Sequence, residues 1–205
     1  MSDDPFLDPR SFLDPRSGVF RNRLGLTDRA ALATAEKRFT VARIAQLERR
    51  RLPGPYDLEH LRAFHWTIFQ DVYPWAGQLR TVLIVKAGAS FCLPHQIVDT
   101  AEDVFARLAA ADHLRGRDRS GFLAGLSPLL AEINDLHPFR EGNGRAQRAF
   151  LSQLARDAGF RLDWAGVDRD ANIDAARAAA DGDLAPMRAL LDPVVRPAHR
   201  TTQRR

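Results

Sequence analysis

The sequence predicts a mainly α-helical fold, a bundle of helices interrupted by one short β-hairpin. Apolar residues recur at helical spacing along most of the chain. Proline and glycine divide it into pieces of helix length, at Pro53-Gly54-Pro55, Pro74 and Gly142-Asn143-Gly144. Between Ala76 and Pro94 the pattern changes to one rich in β-formers.

The N-terminus carries a tandem repeat, Phe6 to Ser11 followed by Phe12 to Ser17. Two copies are too few for a solenoid, and Pro9 and Pro15 disfavour a helix. Residues 1–17 therefore read as an extended arm. Thr27 is the expected N-cap of a first helix from Ala30 to Leu47. Leu58, Leu61, Phe64, His65 and Ile68 mark a second, ending before Pro74. Thr81 to Val85 and Ser90 to Leu93 read as hairpin arms around a turn at Lys86 to Ala89. An isolated hairpin is marginally stable, so it must lean on the helices or pair with something external.

Three more helices are predicted, at about Gln96 to Ala111, Arg119 to Leu136 and Gly144 to Ala158. Pro128 should kink or split the second. Shorter helices fit Asp168 to Ala180 and Ala185 to Leu191. Residues 18–192 then form one domain, and 193–205 a frayed basic tail.

With 45% hydrophobic and 27% charged residues, twelve Phe and three Trp, the composition is that of a folded globular protein. The net charge of +4 is mild, and it is carried almost wholly by arginine. A lone cysteine, Cys92, excludes an internal disulfide and zinc sites built on paired thiolates, and reads as a small buried hydrophobe. The acidic, proline-bearing start does not resemble a signal peptide, and no apolar run approaches the ~20 residues of a membrane span. A cytoplasmic location is expected.

One stretch carries chemistry: His137-Pro138-Phe139-Arg140-Glu141-Gly142-Asn143-Gly144-Arg145-Ala146-Gln147-Arg148. Gly142-Asn143-Gly144 is a sharp turn feeding a helix, where free N–H groups and the helix dipole make an anion site. Arg145 and Arg148, three residues apart on that helix, suit a polyphosphate. Glu141 beside phosphates calls for an intervening cation, and Mg²⁺ takes one or two carboxylates together with phosphate oxygens. His137, with an ordinary pKa near ~6.5, can act as a general base toward a hydroxyl. Phe139 anchors the loop inward. His60 and His65, five apart and off the i, i+4 metal spacing, read as ordinary helix residues.

This segment resembles the signature of the Fic (Fic/Doc) family, His-x-Phe-x-Asp/Glu-Gly-Asn-Gly-Arg-x-x-Arg, and matches it at every fixed position. Val19 to Thr27 resembles the family's lead-in to its first helix, and Asp71 to Gly77 with Arg80-Thr81 the approach to its hairpin. The resemblance implies a Fic fold and a protein adenylyltransferase that moves AMP from Mg-ATP to a Tyr, Thr or Ser hydroxyl. In that reading His137 is the base and Glu141 holds Mg²⁺. Gly142, Asn143 and Gly144 form the anion hole, and Arg145 and Arg148 hold the outer phosphates. The Thr81–Phe91 hairpin corresponds to the flap that docks the target protein. The unaltered Gly-Asn-Gly-Arg favours AMP transfer over phosphotransfer or another donor.

The family's inhibitory helix has the pattern Ser/Thr-x-x-x-Glu-Gly/Asn, and no Glu of this chain has Ser or Thr four residues before it. The resemblance then implies the toxin of a toxin–antitoxin pair, with a small antitoxin protein acting at Arg148 and a type II topoisomerase among the possible targets. The alternative is a secreted effector. A binding module without turnover would lack His137 or Glu141. A nucleic-acid-binding protein would rest on the basic tail and the net charge, and the sequence shows no nucleic-acid motif, so neither nucleic acid nor membrane is an expected partner.

Overall fold

The computed structural model describes residues 12–86 and 89–198. Seven α-helices dominate them: α1 (Arg29–Arg49), α2 (Leu58–Phe69), α3 (Ile97–Ala110), α4 (Arg119–Leu136), α5 (Asn143–Asp157), α6 (Arg169–Ala180) and α7 (Ala185–Leu191). A β-hairpin, β1 (Val85–Lys86) and β2 (Ala89–Ser90), precedes α3. A second antiparallel pair, β3 (Phe160–Leu162) and β4 (Val195–Pro197), follows α5 and ends the fold.

Four of the helices start on an aspartate cap. Asp28, not Thr27, caps α1, its carboxylate accepting from Ala31 N–H at 2.7 Å. A carboxylate one residue further on is the better partner for the orphan N–H groups of the first turn. Asp57 caps α2, Asp118 caps α4 and Asp168 caps α6 in the same way. Pro128 neither splits α4 nor ends it: 18 residues run on as one helix. Ala124, whose carbonyl lacks an i+4 donor at Pro128, lies on an exposed face where water can satisfy it.

The helices pack α1 on α2, α2 on α5, and α4 on α6 and α7. Phe64, Phe69, Phe122 and Phe150 are wholly buried among them. Phe150 of α5 meets Tyr56, Phe64 and Phe105 edge-on, joining three elements at one aromatic centre.

Two segments differ from the sequence reading. Phe12 in the second repeat copy is buried, set edge-on to Trp75 at 5.6 Å, and Leu13 bridges Phe20. The first copy, residues 6–11, lies outside the described residues. At the other end Val194 and Val195 are buried, and β4 pairs with β3 in the register Arg161↔Arg196. The chain from Val194 to Pro197 is thus part of the fold and not a frayed tail. The hairpin is also shorter than its β-rich sequence suggests, with only Val85↔Ser90 and Lys86↔Ala89 paired. Among the described residues no helix is long and apolar enough to cross a membrane.

Candidate active site

The loop between α4 and α5 is built by three local devices. His137 ends α4 in the left-handed region, with φ 40° and ψ 56°, and its N–H closes on the Ile133 carbonyl at 3.2 Å. Gly142 starts α5 with φ 84°, and an added Cβ there would lie 2.2 Å from Phe69 Cζ. Only glycine suits both the angle and the gap. Asn143, 5% exposed, spans the loop: its Oδ1 accepts from Phe139 N–H at 2.8 Å and its Nδ2 donates to the Phe139 carbonyl at 2.6 Å.

Tertiary contacts fix this loop in place. Phe139 is buried and stacked on the imidazole of His65, which belongs to α2. His65 Nδ1 accepts from Gly77 N–H at 2.8 Å, which leaves Nε2–H to donate to the Glu141 carbonyl at 2.9 Å. Burial pushes the His65 ring down to a pKa of about 4, so it is neutral at pH 7. The sequence reading of His65 as an ordinary helix residue missed this role. Its spacing from His60 carries no sign of a partner 76 residues away.

Above the loop a cleft of about 850 Å³ opens between α3, α4, α5, α6 and the hairpin. Three of the expected site residues line it: His137, Gly144 and Arg148. The His137 ring lies flat against Phe91 from the hairpin, with centroids 3.9 Å apart. Gly144 has open space where a side chain would stand, so its lack of a Cβ serves the cleft and not the packing. Arg148 lies over the Trp164 ring at 5.5 Å, and burial lowers its pKa. Among the described residues it has no carboxylate partner.

The other expected residues sit behind this wall. The Asn143 side chain is spent on Phe139, and the Gly142 N–H donates to Glu141 Oε1 at 2.9 Å. Arg145 turns away from the cleft. Its guanidinium meets Glu36 of α1 at 2.6 Å and Glu141 Oε1 at 3.6 Å, and it stacks over Phe69 at 4.6 Å. Tyr73 in turn donates its hydroxyl to Glu36.

The cleft also holds residues that the sequence left unnamed. Gln147 Nε2 donates to Asn134 Oδ1 at 2.5 Å, while the buried Asn134 Nδ2 has no partner among the described residues. Val104, Ala131, Ile173 and Ala176 supply an apolar wall. No cluster of three metal-binding side chains occurs among the described residues, so a metal at Glu141 would take most of its ligands from elsewhere. That suits Mg²⁺ held between Glu141 and ligand phosphates, because Mg²⁺ keeps several waters and needs few protein oxygens. Glu141 remains part-exposed, and its two contacts both fall on Oε1.

Comparison with known proteins agrees with this architecture. Residues 55–155 match the Fic/DOC family. The chain is 40% identical over 190 residues to the protein adenylyltransferase VbhT of Bartonella schoenbuchensis, covering 93% of this chain but 38% of VbhT. It is 44% identical over 177 residues to the probable protein adenylyltransferase y4lH of Sinorhizobium fredii, covering 85% of this chain and 90% of that protein. In fold it resembles BepC of Bartonella tribocorum, a VirB-translocated effector solved with bound AMPPNP. The TM-score is 0.85 at 23% identity, over 92% of this chain and 97% of BepC. The chain belongs to the Fic/DOC family, as an adenylyltransferase-type member of it.

Proposed function

We propose that the chain transfers AMP from ATP to a hydroxyl side chain of another protein. The observation that carries this reading is one cleft wall on which His137, Gly144 and Arg148 stand together, with Phe91 of the hairpin on its rim. The apolar wall of Val104, Ala131, Ile173 and Ala176 suits a flat base. The bare Cα of Gly144 and the N-terminus of α5 let phosphate oxygens approach main-chain N–H groups closely. Arg148, which has no carboxylate partner among the described residues, draws the distal phosphates and orients pyrophosphate as the leaving group.

The hydroxyl oxygen then attacks the α-phosphorus, its proton passes to the His137 imidazole, and the bond to pyrophosphate breaks. Charge building on the α-phosphate is met by the fixed N–H dipoles at the start of α5. Glu141 would hold Mg²⁺, which when bound screens the phosphate charges from one another. Arg145 and Glu36 hold the Glu141 carboxylate beside the nest, a positioning task rather than a phosphate contact.

We infer further that a separate small antitoxin protein restrains this activity by placing a carboxylate on Arg148, as expected of a toxin. A type II topoisomerase is a candidate target. The guanidinium of Arg148, without a carboxylate partner among the described residues, and the lack of an internal Ser/Thr-x-x-x-Glu pattern support this.

The test is incubation with α-labelled ATP and Mg²⁺ in bacterial lysate, beside the His137→Ala protein. A labelled protein band made only by the wild type is the expected result. Label arriving from the γ-phosphate alone would replace AMP transfer with phosphorylation.

A further inference from the structure

Arg80 lies between α2 and β1 and is 2% exposed, yet it makes no ion pair among the described residues. Its guanidinium is bonded instead to main-chain carbonyls. Nε donates to His137 at 2.8 Å and Nη1 to Val82 at 2.8 Å, while Nη2 reaches Cys92 at 2.5 Å and, more weakly, Leu136 at 3.4 Å. We infer that Arg80 is a positioning residue that pins both arms of the hairpin to the C-terminus of α4, so that a target strand seated on the hairpin and the base His137 move as one body. The inference rests on the reading of His137 as the base.

The geometry gives this arginine a task that no other residue type could fill. The last carbonyls of a helix have no intrahelical donor and carry the negative end of its dipole. Leu136 and His137 are those carbonyls at the end of α4. Val82 and Cys92 lie on the two arms of the hairpin, beyond its paired residues. The pairing stops instead at Val85↔Ser90, with only Phe91 N–H reaching Ile84 O at 3.2 Å beyond it. A planar fork with five donors can satisfy carbonyls on three converging segments at once, and lysine cannot.

Two main-chain bonds run beside it, Arg80 N–H to Pro138 at 2.8 Å and Cys92 N–H to Asp135 at 3.0 Å. The Phe91 ring, stacked on the His137 imidazole, closes the unit from the cleft side. Burial lowers the Arg80 pKa, but an arginine stays charged at neutral pH. The four carbonyls are therefore its compensation.

Hydrogen exchange on the wild-type protein reads the coupling without any substitution. The Cys92 and His137 amides are expected to exchange at one common rate, as parts of one opening unit. Clearly separate rates overturn the inference. Arg80→Lys supplies the second arm. It is expected to lower AMP transfer to lysate proteins by about tenfold or more while AMPPNP affinity stays within about threefold, because Arg80 does not line the cleft. Unchanged transfer in a folded Arg80→Lys protein, or AMPPNP affinity falling in step with transfer, overturns it. If Arg80→Lys does not fold, the wild-type exchange rates decide alone. A common exchange rate in a wild type that transfers no AMP supports the pin and refutes the reaction.

Discussion

The imidazole of His65 lies against the ring of Phe139, with centroids 3.9 Å apart and planes 20° from parallel. Through this stack, and the bond from His65 to the Glu141 carbonyl, helix α2 holds the loop that α4 and α5 only begin and end. The contact makes the loop sensitive to acid. His65 is held neutral with its pKa pushed down to about 4 by burial, against an unfolded value near ~6.5. The unfolded chain binds the proton first as pH falls.

Stability tied to His65 is therefore fully present above about pH 6.5 and is lost progressively toward pH 4, by roughly 3 kcal/mol in all. Thermal unfolding from pH 7.5 to 4.5 checks it. The wild-type Tm should fall across that window, and a His65→Asn protein, less stable at pH 7, should show a shallower slope there.

The two glycines of the loop separate fold from function. Gly142→Ala places a Cβ against Phe69 at a positive φ and should cost on the order of 3 kcal/mol. Gly144→Ala meets no atom within 4 Å, so stability should hold or rise by up to about 1 kcal/mol. Its methyl group enters the cleft, and AMPPNP affinity should drop about tenfold or more. Equal nucleotide binding by wild type and Gly144→Ala would remove phosphate from that spot.

Asn143 tests whether the loop is clamped by its side chain. Asn143→Ala leaves the buried N–H and carbonyl of Phe139 without partners and should cost about 2 kcal/mol by denaturant unfolding. Asn143→Asp keeps the acceptor and loses the donor. It should lie between the two, and a loss as large as that of alanine would assign the clamp to the Phe139 carbonyl alone.

Glu36 and Tyr73 form the rear support of Glu141 through Arg145. Burial and the neighbouring Glu36 both push the Tyr73 phenol well above its ordinary range, so it stays a hydrogen-bond donor at every working pH. Glu36→Gln should raise the Mg²⁺ concentration needed for half-maximal transfer several-fold, with ATP affinity at saturating Mg²⁺ little changed. An unaltered Mg²⁺ requirement would detach Arg145 from the metal site.

The sequence by itself determined the mainly helical class, the course of the helices to within a few residues, and the contiguous segment from His137 to Arg148. These are local properties: a 3.6-residue period, a cap one turn away, a glycine turn opening a helix. Tertiary structure alone decided what surrounds that segment. His65, Glu36 and Arg80 reach it from far along the chain, through a few polar bonds and one ring stack that leave no periodic trace. The pairing of β3 with β4 likewise joins Leu162 to Val195 across two helices, so a strand stood where a loose tail was expected. The direction of Arg145 was undecidable from spacing, since the same guanidinium could face phosphates or Glu36. Packing α1 against α5 brought a carboxylate within 2.6 Å and settled it.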